Sequence, residues 1–316
     1  MIIKKPSCIR KIAVKLLTSV LFFPFADFRK TATKALMHNS LYNFVSVIFN
    51  THFKQPQKFK YNLSVLACCK DEGDYIVEWV EYYMLQGVEH FYLYNNNGTD
   101  NSEQLLKPYI DKGIITWINW PGQQQQLDIY NNCIAQYKND TKWLAIVDLD
   151  EFIVPMKEKK LTTILSNFDD VNQIVIPWVL YGSSGHRKKE DGLVIERFTK
   201  HQIGLNKLTK TILNPRSVFY ADVHISVVYG RTVDEHKNKV RKTSDIKTSD
   251  ILRINHYVIK SREEYENKKR RGDPYFKYSQ FNEEFFKAHD LNDIDEPELM
   301  KGYAQQIKQN LQKGLR

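Results

Sequence analysis

The sequence predicts an α/β fold, a mostly parallel sheet flanked by helices, preceded by a basic helical N-terminal arm. Three observations carry that prediction. From residue 61 onward, short apolar runs alternate with helix-like ones, the pattern of a parallel sheet covered on both faces. Residues 1–60 hold 11 Lys and Arg against one acid, Asp27, and carry +10, whereas residues 61–316 hold 35 basic and 36 acidic residues and carry −1. A length of 316 residues, 42% hydrophobic and 26% charged, describes a globular chain of one large domain with appendages. The near-neutral body excludes a basic groove through the core as the source of the net +9, and no RNA-binding motif is present, so nucleic acid is not the expected partner. Cys8, Cys68, Cys69 and Cys133 are too few and too unevenly spaced for a disulfide framework, and none forms a C-x-x-C pair.

In chain order, the arm comes first. Residues 9–30 are its longest apolar stretch, interrupted by Lys15 and closed by Pro24 and Asp27. That is short of the ~20 apolar residues a membrane-spanning helix needs. No small-x-small cleavage site follows it either. Ile9, Ile12, Leu16, Val20 and Phe23 recur at helical spacing, with Arg10, Lys11, Lys15 and Thr18 on the other side. A second apolar run at 41–50 follows Arg29, Lys30 and Lys34. Basic residues beside an apolar face suit an anionic membrane surface, while the competing reading packs these helices on the body. Gln55, Pro56 and Gln57 read as a linker. The expected divisions are an arm at 1–58, a catalytic domain at 59–275 and a C-terminal helical tail at 276–316.

The body opens with a strand at 63–69, then a helix at 74–87 ending on a C-cap glycine, and a strand at 90–95. A turn-rich Asn-Asn-Gly-Thr-Asp loop leads to a short helix at 102–113, with Ser102 as its N-cap and Pro108 breaking its later part. A strand at 114–120, a helix around 124–138 and a strand at 143–148 follow. Such sheets bind ligands at the carboxyl ends of their strands, which points to the loops after residues 69, 95 and 148.

The sharpest feature stands in the last of these loops. Asp148-Leu149-Asp150-Glu151 directly follows an apolar strand, and two aspartates so spaced present carboxylates to one divalent cation. Hard oxygen ligands favour Mg²⁺ or Mn²⁺, which are held by one or two carboxylates together with substrate phosphates. Lys70-Asp71-Glu72 and the run Asn95 to Asp100 end the other two strands, where carboxylates and amides hydrogen-bond a ribose or a base, or simply form turns.

Four collinear blocks, at 67–100, 143–152, 178–198 and 254–272, resemble glycosyltransferase family 92 and the related bacterial family-2-like transferases. The resemblance implies a GT-A fold, a UDP-sugar donor, a divalent metal (Mn²⁺ or Mg²⁺) and transfer with inversion. Asp148 and Asp150 match the family's D-x-D, with Asp150 the direct metal ligand and Asp148 a ribose or metal partner. Asp71, Glu72, Asn97 and Asp100 match positions around the uridine. His256 stands where a late histidine completes such metal sites, with His224 the second candidate. Lys260, Arg262 and the cluster 268–271 are candidates for the diphosphate, although Glu263, Glu264 and Glu266 also make that helix a solvated, ion-paired face.

An inverting transferase needs a general base on the acceptor side. Glu190-Asp191 resembles the x-E-D of some inverting enzymes, and Glu196 and Asp222 are the other acids available. Trp178, Tyr181 and His186 suit stacking on a sugar. The arm resembles the basic PF-x-x-x-R segments that precede bacterial surface-glycan transferases. Together these features describe an enzyme peripheral to the cytoplasmic face of an inner membrane, adding a sugar, galactose foremost, to a glycan or glycolipid such as lipopolysaccharide or capsule. The rival readings are a metal-dependent phosphohydrolase, which would want its D-x-D after the first strand, and an inactive membrane-bound scaffold.

Overall fold

The computed structural model describes residues 6–22, 26–38, 40–52, 58–271 and 280–314. The linker read at 55–57, the break at Pro24 and the boundary at 275/276 lie outside the described residues. The arm contributes α1 (Cys8–Leu21), α2 (Ala26–His38) and α3 (Leu41–His52). The body then alternates β1 (Tyr61–Cys69), α4 (Ile76–Leu85), β2 (His90–Asn95), α5 (Ser102–Asp111), β3 (Ile115–Asn119), α6 (Gln126–Tyr137) and β4 (Thr141–Ile146). Next come β5 (Glu151–Pro155), α7 (Leu161–Leu165), β6 (Gln173–Leu180), α8 (Val194–Arg197), β7 (Lys200–His201) and β8 (Thr209–Leu213). The chain continues through β9 (Val218–Tyr220), β10 (Val227–Val228), β11 (Thr232–Val233) and β12 (Leu252–His256). It closes with α9 (Arg262–Arg271), α10 (Glu283–His289), β13 (Ile294–Asp295) and α11 (Pro297–Lys313).

The main sheet runs β3-β2-β1-β4-β8-β6-β12-β5, with β11 alongside β6. Its first four strands are parallel, as the alternation predicts. Beyond β4 the sheet is mixed: β8 is antiparallel to both β4 and β6, β12 runs parallel to β6, and β5 turns back antiparallel on β12. That second half brings the ends of β4 and β12 together, because β5 starts directly after Asp150 and pairs His256 with Glu151. Helices cover the sheet, and the fold is the α/β architecture expected for a GT-A chain.

Pro108 lies inside α5 and does not end it. It sits on the exposed side, so the carbonyl it leaves unbonded meets water, while Leu106 and Tyr109 anchor the inner face. Ser102 is the first helical residue, and its backbone N–H is held by Asp100 Oδ1 at 3.1 Å. Gly87 ends the preceding helical turn at φ +87°, as the glycine there predicts.

The arm packs on the body through one side only. Ala32, Ala35, Leu36, Phe44 and Val47 form a buried cluster with Phe219, and the Phe44 and Phe219 rings stack at 4.9 Å. The opposite side leaves Ile9, Ile12, Leu16 and Val20 of α1, and Leu41, Tyr42, Val45 and Phe49 of α3, exposed. No helix of the described residues is long and apolar enough to cross a membrane. Near the C-terminus, Met300, Ala304 and Ile307 of α11 are buried in the main cluster, so this helix belongs to the core.

Candidate functional site

The geometry of the D-x-D begins on α4. Trp79, Tyr82 and Tyr83 lie one helical turn apart on its buried face. Trp79 Nε1 donates to the carbonyls of Asp148 and Glu151, both at 3.1 Å. The Tyr83 hydroxyl donates to Glu151 O at 3.0 Å and accepts from Ile153 N at 3.0 Å, and the Tyr82 hydroxyl donates to Ile153 O at 2.8 Å. Three aromatic side chains thus hold the backbone on which the aspartates stand. Beneath them Glu151 is fully buried, and Asp148 N–H donates to its Oε2 at 2.9 Å. Burial and the neighbouring aspartates push the Glu151 carboxyl well above its ordinary range, against the opposing pull of Lys210.

Each aspartate has its own cation. Lys210, a nearly buried residue of β8, places Nζ 2.7 Å from Asp148 Oδ2. The other oxygen of Asp148 accepts from Gln126 Nε2 at 3.1 Å and from the Tyr130 hydroxyl at 3.3 Å. Lys268 of α9 reaches Asp150 Oδ2 at 2.5 Å, and His256 Nε2 lies 3.4 Å from Asp150 Oδ1. Burial raises the Asp150 carboxyl, but Lys268 and His256 outweigh it and hold Asp150 well below the carboxylate range. Burial lowers His256, against Asp150, which favours the neutral imidazole a metal requires. Arg271, three residues after Lys268 on the same helix face, meets Glu72 at 2.5 Å and the carbonyls of Lys70 and Asp71 at 3.1 and 2.8 Å.

These groups line one cavity of about 360 Å³, floored by the ends of β1, β4, β6 and β12 and bounded by α9 and α10. Three buried polar atoms of its lining residues, Glu72 Oε2, His256 Nδ1 and Trp178 Nε1, have no hydrogen-bond partner among the described residues. The indole of Trp178 covers His256 at 4.3 Å between ring centroids. His224 also lines the cavity, its Nδ1 2.9 Å from Thr209 O. A divalent cation fits Asp150 and His256, an ionised carboxylate and a neutral imidazole whose nearest ligand atoms already lie 3.4 Å apart. Asp148 is turned toward Lys210 and does not complete a trio with them. Among the described residues one tight trio of ligand type lies elsewhere, at Glu235, His236 and Asp250. There Glu235 caps the backbone N–H groups of Asp250, Ile251 and Leu252 at 3.0, 2.8 and 2.6 Å, which accounts for it structurally.

Of the residues expected around a nucleotide, Glu72 and Asp148 line the cavity. Asp71, Asn97 and Asp100 instead tie neighbouring loops together. Asp71 Oδ1 accepts from Thr99 and Asp100 N–H at 2.6 and 3.2 Å, and Asp100 accepts from Gly73 and Ser102 N–H at 2.6 and 3.1 Å. Asn97 makes two bonds to the Gly122 backbone, at 2.6 and 3.1 Å. Glu190 and Asp191 are exposed on the loop between β6 and α8, with Glu190 3.2 Å from His186, and neither is a lining residue. Glu196 faces α11 through Lys308, and Asp222 accepts its neighbour's N–H. Tyr181 is a core residue that accepts a bond from Arg253, and His186 bonds Arg197 O. Lys260 is buried against the Tyr75 ring, and Arg262 pairs with Glu266 and Glu283.

Lys210, Gln126 and Tyr130 are absent from any motif-based reading. The one sequence signal for Lys210 is a lysine within the strand-forming run TKTIL, and Gln126 stands out only as the end of a glutamine tract.

With this geometry in place, residues 64–298, well over half of the chain, match the family described as glycosyltransferase family 92. The chain belongs to glycosyltransferase family 92. A β-1,4-galactosyltransferase of Caenorhabditis elegans is 24% identical over 270 residues, 78% of this family-92 chain and 62% of the relative. A galactan β-1,4-galactosyltransferase of Arabidopsis thaliana is 26% identical over 184 residues, 52% of this chain and 36% of the relative. In both, the match covers less than two thirds of the relative's own length. The structure of Staphylococcus aureus TarS (residues 1–349) has a TM-score of 0.33 and 14% identity over 49% of this chain and 47% of its own.

Proposed function

We propose that this family-92 chain is a metal-dependent inverting glycosyltransferase that moves galactose from a UDP-sugar to a surface glycan such as lipopolysaccharide or capsule. The observation that carries this reading is the Asp150–His256 pair at the base of a cavity ringed by cations. Lys70, Lys210, Lys268 and Arg271 face Glu72, Asp148 and Asp150, so four positive charges meet three negative ones on the lining. The two negative charges on the diphosphate of a UDP-sugar, which rise as UDP departs, exceed that surplus of one, and a divalent cation covers the difference. When bound, the cation would act as a Lewis acid on the departing diphosphate. Lys268 and Arg271 would receive its remaining charge, and Glu72, with one carboxylate oxygen unpartnered, accepts a hydrogen bond from a ribose or base. Galactose is favoured because the similar nematode and plant proteins are β-1,4-galactosyltransferases.

The acceptor side begins where β6 ends at Leu180, a lining residue. The loop leaving that point carries Glu190 and Asp191, to which this reading gives the acceptor proton. The apolar ridge and basic charge of the arm support a peripheral position on the cytoplasmic face of an inner membrane, near a lipid-linked acceptor.

The test is UDP release from a panel of UDP-sugars with Mn²⁺ and with excess EDTA, beside calorimetric UDP binding. One donor should be hydrolysed in an EDTA-sensitive manner, and Asp150→Ala and His256→Ala should abolish metal-dependent UDP binding while retaining the fold. Metal-dependent UDP binding that survives Asp150→Ala would sink the site assignment. With an acceptor present, Glu190→Gln with Asp191→Asn should depress transfer and spare donor hydrolysis; unchanged transfer would remove them as the base.

A further inference from the structure

A second cavity, of about 880 Å³, opens between the arm and the body, apart from the D-x-D. Its arm side carries Lys15 from α1 and Arg29, Lys30 and Lys34 from α2. Its body side carries Arg231, Lys237, Lys239 and Arg241, around β11. Eight basic residues line it, and no Asp or Glu does among the described residues. Asp170, outside the lining, pairs with Arg231 and lies 3.3 Å from Lys237, which offsets one charge at an exposed position where such pairs are weak.

The arm's composition alone does not produce this arrangement. Residues 61–316 carry −1 overall, yet four of their cations converge on the wall that faces the arm. Like charges held in one concavity repel, and a bound polyanion removes the repulsion and gains from all of them at once.

The cavity is also built rigidly on both sides. Thr18 and Thr33 share a 2.7 Å hydroxyl contact that locks α1 to α2. On the body side Gly230 has φ +100°, and a Cβ there would fall 2.0 Å from Asn172 Oδ1, the atom that accepts Arg231 N–H at 3.0 Å. Only glycine suits that turn, which presents Arg231 to the cavity. Finally, the helix that supplies Lys15 exposes Ile9, Ile12, Leu16 and Val20, so apolar surface adjoins the charge.

We infer that this cleft binds phosphate groups, those of an anionic lipid headgroup whose acyl chains lie along α1. Phosphate binding stands by itself; the lipid as its source rests on the arm's proposed membrane position. The full chain would be floated with phosphatidylcholine vesicles, with and without phosphatidylglycerol, and titrated separately with inorganic pyrophosphate. Lys30→Gln with Lys34→Gln and Lys237→Gln would be compared with a control of equal charge change at exposed sites away from the cleft, Lys112→Gln with Lys159→Gln and Lys313→Gln.

The wild type and the control should bind vesicles in a phosphatidylglycerol-dependent way. The cleft variant should lose at least about tenfold, as removing three surface lysines implies. Pyrophosphate binding that the cleft variant loses, without dependence on phosphatidylglycerol, would support the phosphate site with a soluble source. Equal losses in both variants, or binding of neither probe, would overturn the proposal. Lys237→Gln alone, on an exposed loop, keeps the test valid should the triple variant fold poorly. UDP release does not involve this cleft, so failure here and failure of the transferase reading are separable.

Discussion

Lys210 shows how one residue organises the site. Its ammonium is 2% exposed and lies between Asp148 at 2.7 Å and Glu151 at 3.8 Å. Burial lowers its affinity for a proton, but Asp148 and Glu151 outweigh that, so it stays charged. Removing one partner of such a pair strands the other charge, at a cost of roughly 3–5 kcal/mol in buried examples, less here because Asp148 is one-third exposed. Lys210→Met should therefore lower the urea midpoint clearly and weaken UDP binding. Adding Asp148→Asn should restore most of the stability and none of the UDP affinity. If the double variant is no more stable than Lys210→Met, the pair is not the reason for the loss. What Lys210 faces depends on β8 pairing antiparallel with β4, which brings its ammonium to Asp148, 62 residues earlier in the chain.

At the scale of elements, α9 shows which part of a charged helix is functional. Its sequence REEYENKKRR reads as a solvated face, and for Arg262 and Lys269 that is what the structure contains. Lys268 and Arg271 share the inner face and meet Asp150 and Glu72. The helix is fixed by Glu264, whose carboxylate receives Arg197 through two bonds at 3.0 and 2.8 Å and the Ser261 hydroxyl at 2.5 Å. Burial raises the Glu264 carboxyl, but Arg197 and Ser261 outweigh it and bring it down to about 2. A depressed carboxyl stabilises the fold above its unfolded value near 4.5 and loses that contribution as pH falls through about 2. The wild type should thus lose more stability than Glu264→Gln between pH 4.5 and 2. Parallel pH curves in chemical denaturation would refute it. Pro108 is the reverse lesson: proline chemistry is local, but whether it ends a helix depends on which side faces water.

For the whole molecule, the question is how the arm sits on the body. One side of its amphipathic helices is buried against the body, and the other leaves an exposed apolar ridge, the surface to which the membrane reading would apply. Deleting the arm would uncover Phe219 and Tyr229, so surface substitution is the cleaner probe. Ile9→Ser with Leu16→Ser and Val20→Ser should leave the thermal midpoint nearly unchanged and shift the chain from the membrane to the soluble fraction. Unaltered fractionation would mean that the ridge does not meet a bilayer.

The sequence by itself determined the alternating body, the loop bearing Asp148 and Asp150, the charge division between arm and body, and the family resemblance carried by collinear blocks. These are properties of residues close together in the chain, where periodicity, turn chemistry and charge are written directly. Only the tertiary structure decided which acids face the cavity. Glu72 turns inward to Arg271, while Asp71, Asn97 and Asp100 are used up in loop ties. It alone set His256 beside Asp150, buried Glu151 beneath them, and gathered the cations of residues 15–34 and 231–241 into one cleft. The reason is physical: a side chain's charge state and partners depend on burial and on neighbours brought in by strand pairing, and neither is a property of the local sequence.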